Sequence, residues 1–223
     1  MGIYKGRDKK TKELRALKVM DTEKIKGDLS TEYEGEEIKE QLNFCIEGFK
    51  EEFEVMKICS NNNINSVKCY EYFNNEDNFV IIMELCDQNL LQLFGGQIQK
   101  RKGFNIEEIF EIMMQLNNTF KIMKENNIIH RYLKLDNILI KYIDKEKEKY
   151  IIKLSDYGSS KILISLSRNC NKYSGTLLYM PPEILKRQEY NYKCNLWSIG
   201  IIIYQLINGK PPYIGNNEIA LMN

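Results

Sequence analysis

In 223 residues the chain has one histidine, one tryptophan and four prolines. A lone histidine removes most zinc chemistry, since such sites draw on several Cys and His ligands. The six cysteines, Cys45, Cys59, Cys69, Cys86, Cys170 and Cys194, form no C-x-x-C pair, and thiols scattered in this way read as reduced, in a cytoplasmic chain or a nuclear one. Long hydrophobic runs are lacking too. The longest, Leu196 to Leu206, is too short to cross a bilayer and reads as a buried helix. Met1 to Gly6 contain no apolar stretch of the kind a secretion signal needs. Gly6 stands where myristoylation would require Ser or Thr, which removes that reading of Gly2. Nor is there an excess of charge of one sign: 32 Lys and Arg stand against 31 Asp and Glu, which argues against nucleic acid or an anionic membrane as the main partner. There is no internal repeat or low-complexity tract.

What is present describes an ordinary globular chain of one or two domains, 43% hydrophobic and 28% charged. Ile3 to Thr11 reads as a strand end and a charged turn, and Leu14 to Met20 alternates as a half-buried strand. From Asp21 to about Glu47 the chain is rich in Glu and Lys with little apolar periodicity, which predicts a solvated loop insertion. Phe49, Phe53, Met56 and Ile58 then recur at helical spacing until Asn61-Asn62-Asn63 stops the helix. Val67 to Phe73 and Asn78 to Glu84 read as two strands. Ile106, Ile109, Ile112, Met113, Leu116, Phe120 and Met123 mark a long amphipathic helix. Short strands follow at Ile138 to Tyr142 and Tyr150 to Leu154, and a helix at Leu196 to Ile207 ends at Asn208-Gly209. Strands early and helices late predict an α+β architecture with a hinge near Glu84 to Gln88.

Five short stretches and one glutamate carry chemistry. Ala16-Leu17-Lys18 puts a lysine on a strand. Glu52 lies on the first long helix, with Glu51 as the alternative register. The octet His130-Arg131-Tyr132-Leu133-Lys134-Leu135-Asp136-Asn137 follows an apolar pair, and Asp156-Tyr157-Gly158 follows the second short strand. Gly175-Thr176-Leu177-Leu178-Tyr179-Met180-Pro181-Pro182-Glu183 precedes Asn195-Leu196-Trp197-Ser198-Ile199-Gly200. In this order and at these spacings the stretches resemble the eukaryotic protein kinase superfamily, serine/threonine type, over nearly the whole chain.

The resemblance implies a bilobal kinase-like fold: a small β-rich lobe with one helix over residues 1–85 and a larger, mainly α lobe over 86–223. The first would lack its first strand and most of the Gly-rich loop, and the second its final helices. The chain would thus be a fragment of a longer kinase or a degenerate copy. By the same resemblance Lys18, paired with Glu52, would hold the phosphates of ATP, and Asn137 and Asp156 would ligate Mg²⁺. Ile3, Ala16 and Leu139 would sandwich the adenine, Met83 would be the gatekeeper, and Glu84 to Cys86 would offer it backbone hydrogen bonds. Met56, Cys69, His130 and Tyr157 would stack as an internal spine. Ser165, Ser167, Tyr173 and Ser174 would lie in an activation segment, with Arg131 available to a phosphate there.

Two departures touch catalysis. Tyr132 replaces the Asp that serves as base, with Lys134 two residues beyond it, and a phenol of ordinary pKa, about 10, is protonated at neutral pH. Asn195 replaces an Asp that holds the catalytic loop, and it lacks the charge and second oxygen of a carboxylate. The implied function is a pseudokinase that holds ATP and Mg²⁺ weakly or not at all and acts through a protein substrate or regulatory partner. The alternative is a serine/threonine kinase of low turnover, and a third reading is a truncated product without function.

Overall fold

The computed structural model describes residues 1–75, 77–99, 103–146, 148–162, 177–213 and 215. Strands β1 (Gly2–Arg7) and β2 (Leu14–Asp21) form a hairpin whose turn is tied by Asp8, its carboxylate accepting from the Lys10 and Thr11 amides. The chain then enters helix α1 (Thr22–Leu29) and the 25-residue helix α2 (Glu36–Ser60). These helices correct the expectation of a solvated loop over Asp21 to Glu47. Asp21 caps α1 by accepting from the Lys24 amide. The Glu and Lys content that suggested a loop falls instead at i,i+3 spacing, as Glu23–Lys26, Glu36–Lys39, Glu47–Lys50 and Glu54–Lys57. Such pairs, with good intrinsic helix formers, support a helix whose buried stripe is thin. The stripe is Leu42, Phe49, Glu52, Val55, Met56 and Cys59.

Strands β3 (Cys69–Asn74) and β4 (Asn78–Glu84) complete a four-stranded antiparallel sheet in the order β1-β2-β4-β3. After β4 come the short strand β5 (Gln88–Asn89) and helix α3 (Leu90–Gln99), then helix α4 (Ile106–Glu125). α4 opens on a capping box in which Asn105 and Glu108 satisfy one another's amides. Strand β6 (Ile128–Ile129) leads into the octet. Beyond it β7 (Ile138–Asp144) and β8 (Lys149–Leu154) pair with each other, β5 adding to β7. Strand β9 (Lys161–Ile162) returns to pair with β6. The short helix α5 (Pro182–Leu185) and helix α6 (Cys194–Asn208) come next, and α6 ends on Gly209 in the left-handed region, φ 77.

One continuous core runs between the two parts, from Met20, Phe49 and Ile81 through Tyr157 to Leu116, Ile202 and Leu206. Loop 61–67 fastens the strand-rich part to the helical part. Asn63 Nδ2 donates to the Cys59 carbonyl and to Thr119 Oγ1, while its Oδ1 accepts from the Asn65 amide and from Asn118 Nδ2. Asn65 Nδ2 and Val67 N–H donate to the Ile152 and Leu154 carbonyls of β8.

Candidate functional site

The site lies where β2, α2, the octet and the start of the 157–159 turn converge. On β2, cross-strand partners share a face, so Lys18 lies beside Ile3 of β1 and Ile81 of β4, and Ala16 lies beside Met83. Lys18 Nζ donates to Glu52 Oε1 at 2.6 Å, to Oε2 at 2.8 Å and to Asp156 Oδ1 at 3.1 Å. The register on α2 is therefore Glu52; Glu51 is exposed. Side-chain exposures of 12% for Lys18 and 2% for Glu52 make this a buried pair, whereas Asp156, at 41%, is partly open to solvent.

Burial alone would depress the Lys18 pKa, but the charges of Glu52 and Asp156 outweigh it and hold the ammonium above its ordinary value. Burial raises Glu52, with Lys18 opposing. Asp156 is opposed by its own burial, yet Lys18 brings it below the usual carboxylate range. At Gly158 this packing leaves little room for a side chain: a Cβ there would sit 3.0 Å from Glu52 Oε2 and 3.3 Å from Lys18 Nζ, so the ion pair would have to shift. Asp156 itself is left-handed, φ 59 and ψ 67, a strained conformation that Asp tolerates better than most residues.

The octet is held from within. His130 is fully buried, its Nε2 3.0 Å from the Ser155 carbonyl and its ring 5.2 Å from that of Tyr157. Burial pushes its pKa down to about 4, against the Ser155 carbonyl and Asp156, which favour the cation. Asn137 Nδ2 donates to the Tyr132 carbonyl at 2.8 Å, and the Asn137 carbonyl accepts from the amide and hydroxyl of Ser155. Arg131 is left-handed, φ 63; its Nε donates to the Ser159 carbonyl and its Nη1 lies 3.5 Å from the Tyr190 hydroxyl. Lys134 Nζ donates to the Tyr132 hydroxyl at 3.2 Å and sits 4.5 Å from the centre of that ring, with Asp136 Oδ2 3.9 Å away. Asn195 is buried in α6, and its Oδ1 has no partner among the described residues.

Tyr157 stands fully buried where a phenylalanine would need nothing further, and Ser66 Oγ meets its hydroxyl at 2.8 Å. Met56 is buried in the same core and Cys69 packs against it. Burial pushes the thiols of Cys59, Cys69, Cys86 and Cys194 up to about 12, so they serve as small apolar groups.

Leu139 of β7 faces Lys153 of β8, whose Nζ lies 2.9 Å from Glu84 Oε2. The Glu84 amide is engaged by the Lys68 carbonyl, while Cys86 makes no backbone hydrogen bond among the described residues. A cleft of about 630 Å³ opens at the outer edge of this segment, bordered by Leu14, Arg15, Leu85, Cys86 and Lys141. The structure thus brings Lys18, Glu52 and Asp156 into contact, and Asn137 against Tyr132; Ile3, Ala16 and Met83 share their sheet face. Sequence reading took Asn63 only as a helix stop. Its four hydrogen bonds were foreshadowed by nothing beyond an Asn-rich run. Ser165, Ser167, Tyr173, Ser174, Gly175 and Thr176 lie outside the described residues. Among the described residues no three His, Cys, Asp or Glu side chains gather as a metal cluster, and no helix is long and apolar enough to cross a membrane.

Comparison with known proteins agrees with this geometry. Residues 2–223 match the protein kinase domain family. The chain is 32% identical over 224 residues to the serine/threonine-protein kinase atg1 of Dictyostelium discoideum, covering 99% of this chain and 30% of that protein. It is 30% identical over 224 residues to the serine/threonine-protein kinase ppk11 of Schizosaccharomyces pombe, covering 99% and 62%. It is 32% identical over 220 residues to calcium-dependent protein kinase 5 of Plasmodium falciparum, covering 99% and 34%. The chain therefore spans less than two thirds of the length of each of these relatives.

Proposed function

This chain belongs to the protein kinase family, and we propose that it is a serine/threonine-type domain that keeps the half of the site holding nucleotide and metal and has lost the half activating a hydroxyl. The observation that carries this is the contrast between the closed Lys18–Glu52–Asp156 contact and the phenol at position 132. The donor set suits Mg·ATP. Lys18 is charged and fixed, Asp156 presents a half-open carboxylate, and Asn137 uses Nδ2 on the Tyr132 carbonyl, which leaves Oδ1 as the branch for a cation. Magnesium takes few protein oxygens because phosphates and waters complete its shell. Asp156 and Asn137 would hold the ion, and it would supply positive charge to offset the negative charge of the transferring phosphate.

The chain's own residues limit the transfer step. A base at position 132 should accept a proton from the incoming hydroxyl; the Tyr132 hydroxyl instead accepts from Lys134, which draws that ammonium over the ring. General-base catalysis is worth roughly 10²–10⁴-fold. Removing it from turnover of about 1–100 per second leaves a slow reaction at most. The orphaned Oδ1 of Asn195 adds to the loss, since it supplies no tie to the octet. The domain on this reading acts in the cytoplasm through contact with a protein, as a pseudokinase; a slow protein serine/threonine kinase is the second reading, favoured by the intact Lys18–Glu52 pair.

The test is a thermal melt with and without Mg·ATP alongside transfer of labelled phosphate to a mixed protein substrate. The expected result is a raised melting temperature with no transfer above background. An unshifted melt removes the nucleotide half of the proposal. Transfer at about one per second or faster removes the other half.

A further inference from the structure

The segment 84–86 is gripped from beneath by two lysines that the proposed function does not use. β7 and β8 pair so that Leu139 lies opposite Lys153, and Lys141, two residues further along β7, shares that face because strand side chains alternate. The other face, Ile138, Ile140, Ile152 and Leu154, is buried core. Lys141 Nζ donates to the Leu85 carbonyl at 2.6 Å. Lys153, its side chain only 7% exposed, donates to the Ile64 carbonyl at 2.7 Å and pairs with Glu84 at 2.9 Å. The Asp87 amide donates to the Ile140 carbonyl, and the Asp87 carboxylate accepts from the Tyr142 amide and pairs with Lys145.

The residues on both sides of Cys86 are thus clamped to β7 and β8 by charge-assisted bonds, which are shorter and stronger than neutral ones. Cys86 is left with its own N–H and C=O outside any backbone bond among the described residues. Long lysines are costly to order and seldom buried without a role. Here Lys141 ties the Leu85 carbonyl to β7, and Lys153, opposite Leu139, ties the Glu84 carboxylate to β8. We propose that Lys141 and Lys153 are positioning residues that hold the backbone of residues 84–86 at the distance above Leu139 that a flat heterocycle, the adenine of ATP, requires. This rests on the nucleotide-binding reading above. It adds that recognition of the base, as distinct from the phosphates, depends on these two side chains.

The experiment titrates the whole chain calorimetrically with adenosine, Mg·ATP and Mg·tripolyphosphate, and tracks hydrogen exchange at the Asp87 amide, which donates to the Ile140 carbonyl. The proteins are the parent chain, Lys141→Met, Lys141→Arg and Lys153→Met. Both Met variants should weaken adenosine about tenfold, the size expected for one hydrogen bond to a charged group. Tripolyphosphate affinity should stay within about twofold and hinge exchange should quicken about tenfold. Lys141→Arg, which keeps a donor, should stay near the parent in both. Parallel loss of adenosine and tripolyphosphate affinity overturns the proposal, because it signals general loosening. So does hinge exchange that Lys141→Met leaves unchanged. If the parent binds none of the three probes, the nucleotide reading fails, and with it the role toward adenine. Hinge exchange in Lys141→Met then still shows whether the clamp exists, because that variant lies at the cleft edge and does not depend on a ligand or on the buried Lys153.

Discussion

Lys134 lies over the Tyr132 ring, its Nζ 4.5 Å from the ring centre and 3.2 Å from the hydroxyl. The Lys134 ammonium is thus engaged by Tyr132, the residue proposed to stand in place of a base. Tyr132→Asp should change both facts at once: it restores a proton acceptor and gives Lys134 a carboxylate partner. Phosphate transfer to a mixed substrate should rise by roughly 10²–10⁴-fold over the parent chain. If the variant binds Mg·ATP as the parent does and transfers no faster, position 132 is not what limits the reaction.

Lys18→Met leaves Glu52 buried with no other cation beside it among the described residues. Breaking one side of a buried pair costs about 3–5 kcal/mol, far more than deleting an exposed pair such as Lys39–Glu36. Urea unfolding should show a large loss for Lys18→Met and a change under about 0.5 kcal/mol for Lys39→Met. A Lys18→Met, Glu52→Leu double variant should recover much of the loss, because no buried charge is then left alone.

The single histidine makes a clean pH probe. His130 has a folded pKa pushed down to about 4 by burial, against an ordinary value of 6.5. Between those values the unfolded chain binds more protons, so stability rises with pH across that window and falls as pH drops from 6.5 towards 4. The contribution is on the order of 3 kcal/mol at most. The His130 ring signal in NMR should titrate near 4, and His130→Phe should flatten this part of the stability profile. A ring that titrates near 6.5 in the folded chain would contradict the packing against Tyr157 described above.

Two buried asparagines should behave in opposite ways. Asn63 makes four hydrogen bonds that join α2, α4 and the loop between α2 and β3, so Asn63→Ala should cost about 2–4 kcal/mol by stranding several partners. Asn195 Oδ1 is buried without a partner among the described residues. Asn195→Leu should therefore be within about 1 kcal/mol of neutral, or stabilising. Chemical denaturation of the two variants side by side tests the contrast.

What could be read in the sequence was whatever short-range pattern determines. The apolar spacing of Ile109, Ile112 and Leu116 marked α4, and Asn208-Gly209 marked the end of α6. The Lys18–Glu52–Asp156 contact was legible only through the order of the motifs, since nothing local to Lys18 says that a helix 34 residues on will reach it. The helical stretches between residues 22 and 47 were misread because they are stabilised mostly by Glu–Lys pairs and only thinly by an apolar stripe, so the usual period was faint. The bonds made by Asn63, Lys141 and Lys153 could not be foreseen at all. Lys141 and Lys153 reach distant backbone carbonyls, which every residue has, and Asn63 reaches side chains of α4 more than 50 residues on, so nothing local announces the partner.

The knot around Asn63 has a mechanical consequence for α2. The C-terminal end of this helix is pinned to α4 and β8, while its N-terminal half, from Glu36, carries mostly exposed side chains. At 1.5 Å per residue Glu52 stands only about 12 Å from the pinned end and Glu36 about 36 Å from it. If its contacts with α1 and around the buried Leu42 gave way, a helix so mounted would turn as a lever about Asn61. A swing of a few degrees that moves the free end by about 3 Å moves Glu52 by about 1 Å, enough to stretch its bond to Lys18 beyond hydrogen-bonding length. A protein that grips the far end could thus set the geometry of the buried pair with modest force and without touching it.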